Sequence, residues 1–316
     1  MSQTCLIVDG LNIFTRHYIA NPSTSQNGES VGGVVGTVSS LSNLCQRFKP
    51  DRLVVVWESG GSSRKRAIYN DYKQGRRPQK LNRYYGEDIP NTVQNRNWQI
   101  NMIITLLKEL SVLQVYVEDC EADDAIGYMC KYYFSDWKKV IVSSDKDFYQ
   151  LLDSKTLIFS PTWKKFVSFK QVLNKFAISA ENFCLAKAIC GDKSDNIPGV
   201  KGVGFKVLSK RFPFLGENNF FTISDILSEC TRQIENGSRV KVFKEILEND
   251  NVIRRNLKLI RLDTNNLSST QIKKIVDTID TFSPVRNKIQ MIKLLRQHAI
   301  TNLDVDRVFL NMKNLR

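Results

Sequence analysis

Short apolar runs alternate with amphipathic stretches through the first half of the chain, and four of those runs end in acid. CLIVD (5–9), RLVVVW (52–57), VLQVYV (112–117) and KVIVSS (139–144) read as buried strands. VGTVSSLSNLCQRF (35–48), NWQINMIITLLKEL (97–110) and ADDAIGYMCKYYF (122–134) read as helices set between and after them. LIFS (157–160) and KKFVSF (164–169) read as an edge hairpin, and from about residue 170 the pattern is helical to the end. Such alternation predicts an α/β fold, a mostly parallel central sheet with helices on both faces. The expected division is an α/β core over residues 1–170 followed by a helical region over 171–316.

In an open α/β sheet, ligands lie outside the carboxyl ends of the strands. The first strand ends at Asp9, the second is followed by Glu58, the third by Glu118 through Asp124, and the fourth by Asp145 and Asp147. Acids in the first turn of a helix complement its dipole, which accounts for two or three of the five carboxylates in EDCEADD (118–124). Four strand ends carrying carboxylates at one edge would repel one another unless cations sat between them. Oxygen donors without His or Cys suit Mg²⁺ or Mn²⁺. Crowded carboxylates are what a pair of ions clamping a phosphodiester requires.

Lys plus Arg number 46 against 32 Asp plus Glu, a net charge of +14. That excess points to a polyanion, nucleic acid before a membrane surface. The seven cysteines form no C-x-x-C pair, which argues against a disulfide framework and a zinc site and for a reducing compartment. Only two histidines occur, so histidine-based catalysis is disfavoured. No apolar run approaches the ~18 residues of a membrane helix, and the N-terminus lacks a signal-peptide pattern.

GDKSDNIPGVKGVGFK (191–206) adds Asp192 and Asp195 within what can also be read as an Asx-rich turn. The glycines do not make a Walker A loop, because Lys206 does not directly follow Gly204 and no Ser or Thr comes after it. A Gly-rich turn between two helices brings backbone N–H groups close to phosphate, with Lys201, Lys206 and Lys210 to neutralise it. A further basic stretch, RKRAIYNDYKQGRRPQKLNR (64–83), interleaves cations with Tyr69 and Tyr72 and leads to Tyr84 and Tyr85. That mixture suits single-stranded nucleic acid, although a solvated helix face has the same composition.

LIVDG (6–10), YKQGRRP (72–78), EADD (121–124), SSDKDF (143–148) and GDKSDNIPGVKGVG (191–204) occur in one order and spacing. In them the sequence resembles the structure-specific 5′-nucleases, namely phage-type 5′–3′ exonuclease/flap endonucleases and the 5′-nuclease domain of bacterial DNA polymerase I. The resemblance runs from about residue 4 to about residue 260. It implies a PIN-like core with a helical arch in the region of about 64–100, then a helix-hairpin-helix-like DNA-binding motif at about 184–215. It implies that Asp9, Glu121, Asp123 and Asp124 frame one metal site and Asp145, Asp147, Asp192 and Asp195 a second. Glu58 stands where the family usually has Asp and is taken as a further ligand, while Glu118 and Asp119 have no counterpart and are taken as solvated.

By the same resemblance Lys73 and Arg76 would contact the scissile phosphate and Tyr72 would stack on an unpaired base. Arg16, Lys65, Lys187, Gly199, Lys201, Gly202, Gly204 and Lys206 would contact DNA. Arg64 and Lys65 replace the usual Phe-Arg, losing a packing ring and keeping the charge. The implied enzyme is a phosphodiesterase using two Mg²⁺ or Mn²⁺ ions on flapped, nicked or branched duplex DNA, with K⁺ a candidate at the Gly-rich hairpin. RNA–DNA hybrid is a possible substrate, primer removal in replication the implied role, and a monomer in the cytoplasm of a phage-infected bacterial cell the implied setting. Two rivals remain: an RNA-cutting nuclease with a similar carboxylate-edged sheet, disfavoured by the Gly-rich turn, and a non-catalytic DNA-binding protein, disfavoured because only Glu58 departs from the acid pattern.

Overall fold

The computed structural model describes residues 3–75 and 92–316, the side chain of Ser59 aside. The elements are β1 (Thr4–Asp9), α1 (Gly10–Ala20), α2 (Gly32–Phe48), β2 (Arg52–Ser59), α3 (Ser63–Ile68), α4 (Val93–Lys108), β3 (Leu113–Glu118) and α5 (Ala122–Tyr128). They continue with β4 (Lys138–Val142), β5 (Thr156–Ser160), β6 (Lys165–Val167), α6 (Phe169–Phe176), α7 (Ala180–Cys190), β7 (Gly191–Asp192), β8 (Ile197–Pro198) and α8 (Phe205–Arg211). The last six are α9 (Ile223–Glu235), α10 (Lys241–Glu248), α11 (Asp250–Ile260), α12 (Ser269–Asp280), α13 (Lys288–Gln297) and α14 (Val305–Asn311).

Among the described residues the main sheet runs β3-β2-β1-β4-β5-β6. The first five strands are parallel, and β6 closes the edge as the antiparallel half of the expected hairpin. From β1 the chain builds outward through β2 and β3, then returns to place β4 on the other side of β1. The order therefore reverses between β1 and β4, the place where an open sheet leaves a crevice at its carboxyl edge. Asp9 ends β1 and Asp145 follows β4, so two of the acids flank that crevice.

Both sheet faces are covered, which is why the strands read as continuous apolar runs rather than alternating ones. Leu6, Val8, Val55 and Val142 pack on one side with residues of α1, α2 and α4. Cys5, Ile7, Val54, Val56 and Ile141 pack on the other with residues of α5. The helix expected over 122–134 is shorter: α5 ends at Tyr128 and Met129–Tyr133 form a π-helical turn. The stretch after β4 is a 3₁₀ turn, Lys146–Leu151, capped by Asp145.

The expected division at residue 170 does not follow the packing. Residues of α7, α8, α9, α10 and α11 form a core of their own, centred on Leu185, Leu208, Phe212 and Ile253. The chain then returns to the sheet. Ile275 and Ile279 of α12 join one face, while Met291 and Leu295 of α13, with Val308 of α14 and Met312, join the other. Hydrogen bonds seal the return, including Gln271 Nε2 to the carbonyls of Glu118 and Asp119, both 2.9 Å, and Arg286 to the carbonyls of Phe309 and Met312. The terminal helices thus cover the first domain's core, which their own sequence did not reveal. No described helix is long and apolar enough to cross a membrane.

Candidate metal and nucleic-acid site

Strand ends and helix caps fix the carboxylates. Asp9 ends β1 and caps α1, accepting from the Asn12 N–H at 3.0 Å. Asp145 caps the turn after β4, accepting from the Asp147 N–H at 2.9 Å, and its own N–H donates to Ser143 Oγ. Asp192 accepts from the Ser194 N–H at 2.8 Å and from its hydroxyl at 2.6 Å. Each acid therefore owes its direction to a local turn, and the sheet brings the turns together.

Two groups of acids result, and their membership differs from the expected pairing. Asp9 feels the charges of Glu58 and Asp145, and Asp123 feels those of Asp145, Asp9 and Glu121. Burial, with the charges of Glu58 and Asp145, pushes the Asp9 carboxyl up to about 6 against the pull of the Asn12 N–H. Asp123 is driven well above the usual carboxylate range by burial and by Asp145 and Asp9. Asp145 thus faces Asp9 and Asp123 rather than only the second group. Asp147, Asp192 and Asp195 form the other group, each presenting a carboxylate oxygen within 4.8 Å of the others.

Lysines already engage parts of this edge. Lys187 pairs with Asp147 and, at 2.6 Å, with Asp192. Its ammonium, with hydrogen bonds from Ser194, holds Asp192 low against the cost of its burial. Glu121 is held by Lys65 Nζ at 2.9 Å, by the Tyr72 hydroxyl at 2.9 Å, and by Lys73. Burial raises Glu121, but the two ammonium groups reverse that and hold it down at about 2. Lys73 has φ +55, a region that a non-glycine residue seldom occupies, and its N–H donates to the Asp195 carbonyl at 2.9 Å. The segment after α3 is thereby tied to Glu121 and to Asp195 of the second acid group.

Several expected roles change in the light of these contacts. Lys65 was expected on DNA, but only 2% of its side chain is exposed, and it bridges Glu121 and Asp124. Lys187 is likewise turned inward onto two carboxylates. Tyr72, expected to stack on a base, is buried with its hydroxyl on Glu121. Asp124 does not join the acid groups: it is fully buried, with one oxygen on Lys65 at 2.8 Å and the other accepting from Asn266 at 3.1 Å. Asp119 is exposed as expected, yet it also accepts from the Ser63 N–H at 2.6 Å at the start of α3. Arg16 donates to Thr162 Oγ1 at 3.0 Å. Arg76, Tyr84 and Tyr85 lie outside the described residues.

At the Gly-rich turn, Lys201, Gly202 and Gly204 are exposed between α7 and α8, and Lys206 is exposed on the first turn of α8. Gly202 has φ +76, which explains the glycine. Gly199 has a different reason: a Cβ there would lie 2.0 Å from the Cys190 carbonyl oxygen, so it serves close backbone packing. Asn266, absent from the sequence-based set, gave no signal because its partner Asp124 lies 142 positions away.

The sequence comparisons match this arrangement. Residues 4–177 match the family model described as the 5′-3′ exonuclease, N-terminal resolvase-like domain. The chain belongs to this 5′-3′ exonuclease family. A 5′-3′ exonuclease of Aquifex aeolicus is 30% identical over 206 residues, 65% of this chain and 67% of that one. Flap endonuclease Xni of Shewanella woodyi is 28% identical over 241 residues, 75% and 88% of the two chains. The bacteriophage T5 flap endonuclease, solved with DNA and metal ions, has a TM-score of 0.68 at 20% identity, over 88% of this chain and 98% of that one. The T5 5′-exonuclease with zinc bound gives 0.68 at 21% identity, covering 89% and 100%. These structural likenesses establish the exonuclease fold.

Proposed function

We propose that this 5′-3′ exonuclease family member hydrolyses phosphodiester bonds in flapped, nicked or branched duplex DNA, with Mg²⁺ or Mn²⁺ as its ions. The observation that carries the reading is the pair of carboxylate groups at the crevice between β1 and β4. Asp9 and Asp123 are held above their ordinary ionisation range by mutual repulsion and burial, a cost that a divalent cation relieves. The donors are all oxygen, which suits a hard cation. Asp9, Glu58, Asp123 and Asp145 would hold one ion, and Asp147, Asp192 and Asp195 a second. Bound divalent ions supply Lewis acidity for the attacking water and offset charge on the departing oxygen.

The chain's own groups do the rest. Lys73 is partly exposed beside Glu121 and would meet the phosphoryl group, its charge gaining most as negative charge builds there. Lys201 and Lys206 would hold duplex backbone without reading sequence. Lys187 would move off Asp147 and Asp192 when an ion binds them. The wider setting is part of the same proposal: replication and primer removal in a phage-infected cell, action on RNA–DNA hybrid, a monomeric state, and K⁺ at the Gly-rich turn.

The test is digestion of 5′-labelled flap and nicked duplexes with Mg²⁺, with EDTA as control. Asp123→Asn and Asp145→Asn are expected to stop cutting while still shifting the flap in Ca²⁺. Full activity in either variant, or cutting in EDTA, would remove the two-ion reading.

A further inference from the structure

The groove between β6 and α6 lies outside the acid-lined crevice and has no role in the chemistry above. It encloses about 460 Å³, enough for a planar base, and Tyr149, Trp163, Lys165, Phe166, Lys175 and Phe176 are among its walls. Trp163 is 51% exposed at the tip of the β5–β6 hairpin, and the Lys175 ammonium lies 5.7 Å from its ring centre. Residues 154–180 contain five lysines and no Asp or Glu. Of these, Lys165 and Lys175 line the groove, and Lys164 and Lys170, close by in sequence, are exposed as well.

We propose that this groove is an accessory site for single-stranded nucleic acid, with Trp163 stacking on a base and Lys165 and Lys175 meeting the adjoining phosphates. An exposed indole among cations is a platform for bases of any sequence. The tip of the hairpin also meets the rim of the crevice. Thr162 Oγ1 accepts from Arg16 and lies 2.8 Å from Ser144 Oγ, and Ser144 directly precedes Asp145. A strand leaving the acids can therefore pass from Arg16 across the hairpin tip onto Trp163. An acidic peptide would satisfy the lysines too, but its carboxylates offer no flat ring to stack on the exposed indole. The assignment rests on the nuclease reading only for the source of the strand.

The test uses the full chain without divalent metal, titrated with an oligothymidylate of about 15 nucleotides. Indole emission should be quenched in the parent and not in Trp163→Phe, the difference isolating Trp163 from the other three tryptophans. Trp163→Ala should bind the oligomer about tenfold more weakly and blunt duplex equally well. Lys175→Glu should weaken the single strand likewise. Equal single-strand affinity in parent and Trp163→Ala overturns the proposal, as does quenching by an acidic peptide but not by the oligomer. A separate flap digestion with Mg²⁺ keeps the two readings apart. Cutting without Trp163-dependent binding refutes the groove alone, and such binding without cutting refutes the nuclease alone.

Discussion

At the scale of single residues, the identity of the acids was legible and their partners were not. Asp9, Asp145 and Asp192 stand out because each follows a strand or opens a turn, a local pattern. Asp124 looks the same in EADD, yet the single residue step around the helix from Asp123, about 100°, sends it to Lys65 and Asn266 instead of the crevice. Glu58 reaches one methylene further than an Asp would, and its charge acts on Asp9. If it holds an ion, Glu58→Gln should lower turnover by orders of magnitude while Glu58→Asp stays active. Turnover of Glu58→Gln within a few-fold of the parent in single-turnover assays would take it out of the site. Protonation gives an independent check. Burial pushes the folded Asp9 carboxyl up to about 6 from its ordinary 3.8, so between those limits the folded state holds the extra proton. Its contribution to stability is therefore present at low pH and lost as pH rises through about 6. Metal-free protein should accordingly gain more thermal stability from Mg²⁺ at pH 7 than at pH 5, because the ion replaces that proton. An equal gain at both values would mean that Asp9 does not bind the ion.

At the scale of elements, the strands and the hairpin were readable because buried parallel strands make continuous apolar runs. The role of α3 was not, because charge alone does not say which way a lysine points. RKR in a basic stretch looks like a DNA contact, whereas Lys65 on the inward side of α3 is an internal strut. The two roles separate experimentally. Lys65→Met leaves the buried Asp124 without its cation and Glu121 with Lys73 alone, so it should cost about 3–5 kcal/mol of stability. If Lys65 makes no phosphate contact, the salt dependence of DNA binding in Ca²⁺ should stay parental. Lys206→Ala, on the exposed first turn of α8, should do the reverse: ordinary stability, weaker binding to flap and duplex alike, and a salt slope smaller by about one. Chemical denaturation and binding isotherms at several salt concentrations decide it. A stable Lys65→Met with a reduced slope would return Lys65 to the DNA surface.

At the scale of the whole molecule, the sequence divides into an α/β half and a helical half, while the packing does not. Periodicity shows that α12, α13 and α14 are helices with an apolar side, but not which surface that side meets. The answer is long-range: Met291, Leu295, Val308 and Met312 cover α2, α4 and one sheet face, and Ile275 and Ile279 cover the other. The Arg316 N–H even donates to the Asp51 carbonyl just before β2. Removing residues 261–316 would uncover both faces at once. At about 2 kcal/mol for each buried side chain, the six named here alone match the ~5–15 kcal/mol that keeps a domain folded. A fragment ending at Ile260 retains every acid of the crevice and the whole Gly-rich turn. It should nevertheless lose cooperative unfolding and, with it, all cutting, because Asp9 and Asp145 are placed by a sheet that no longer has its cover. Circular dichroism melts and flap digestion of the fragment test this. A cooperative melt within a few degrees of the full chain would show that the terminal helices decorate the core rather than complete it.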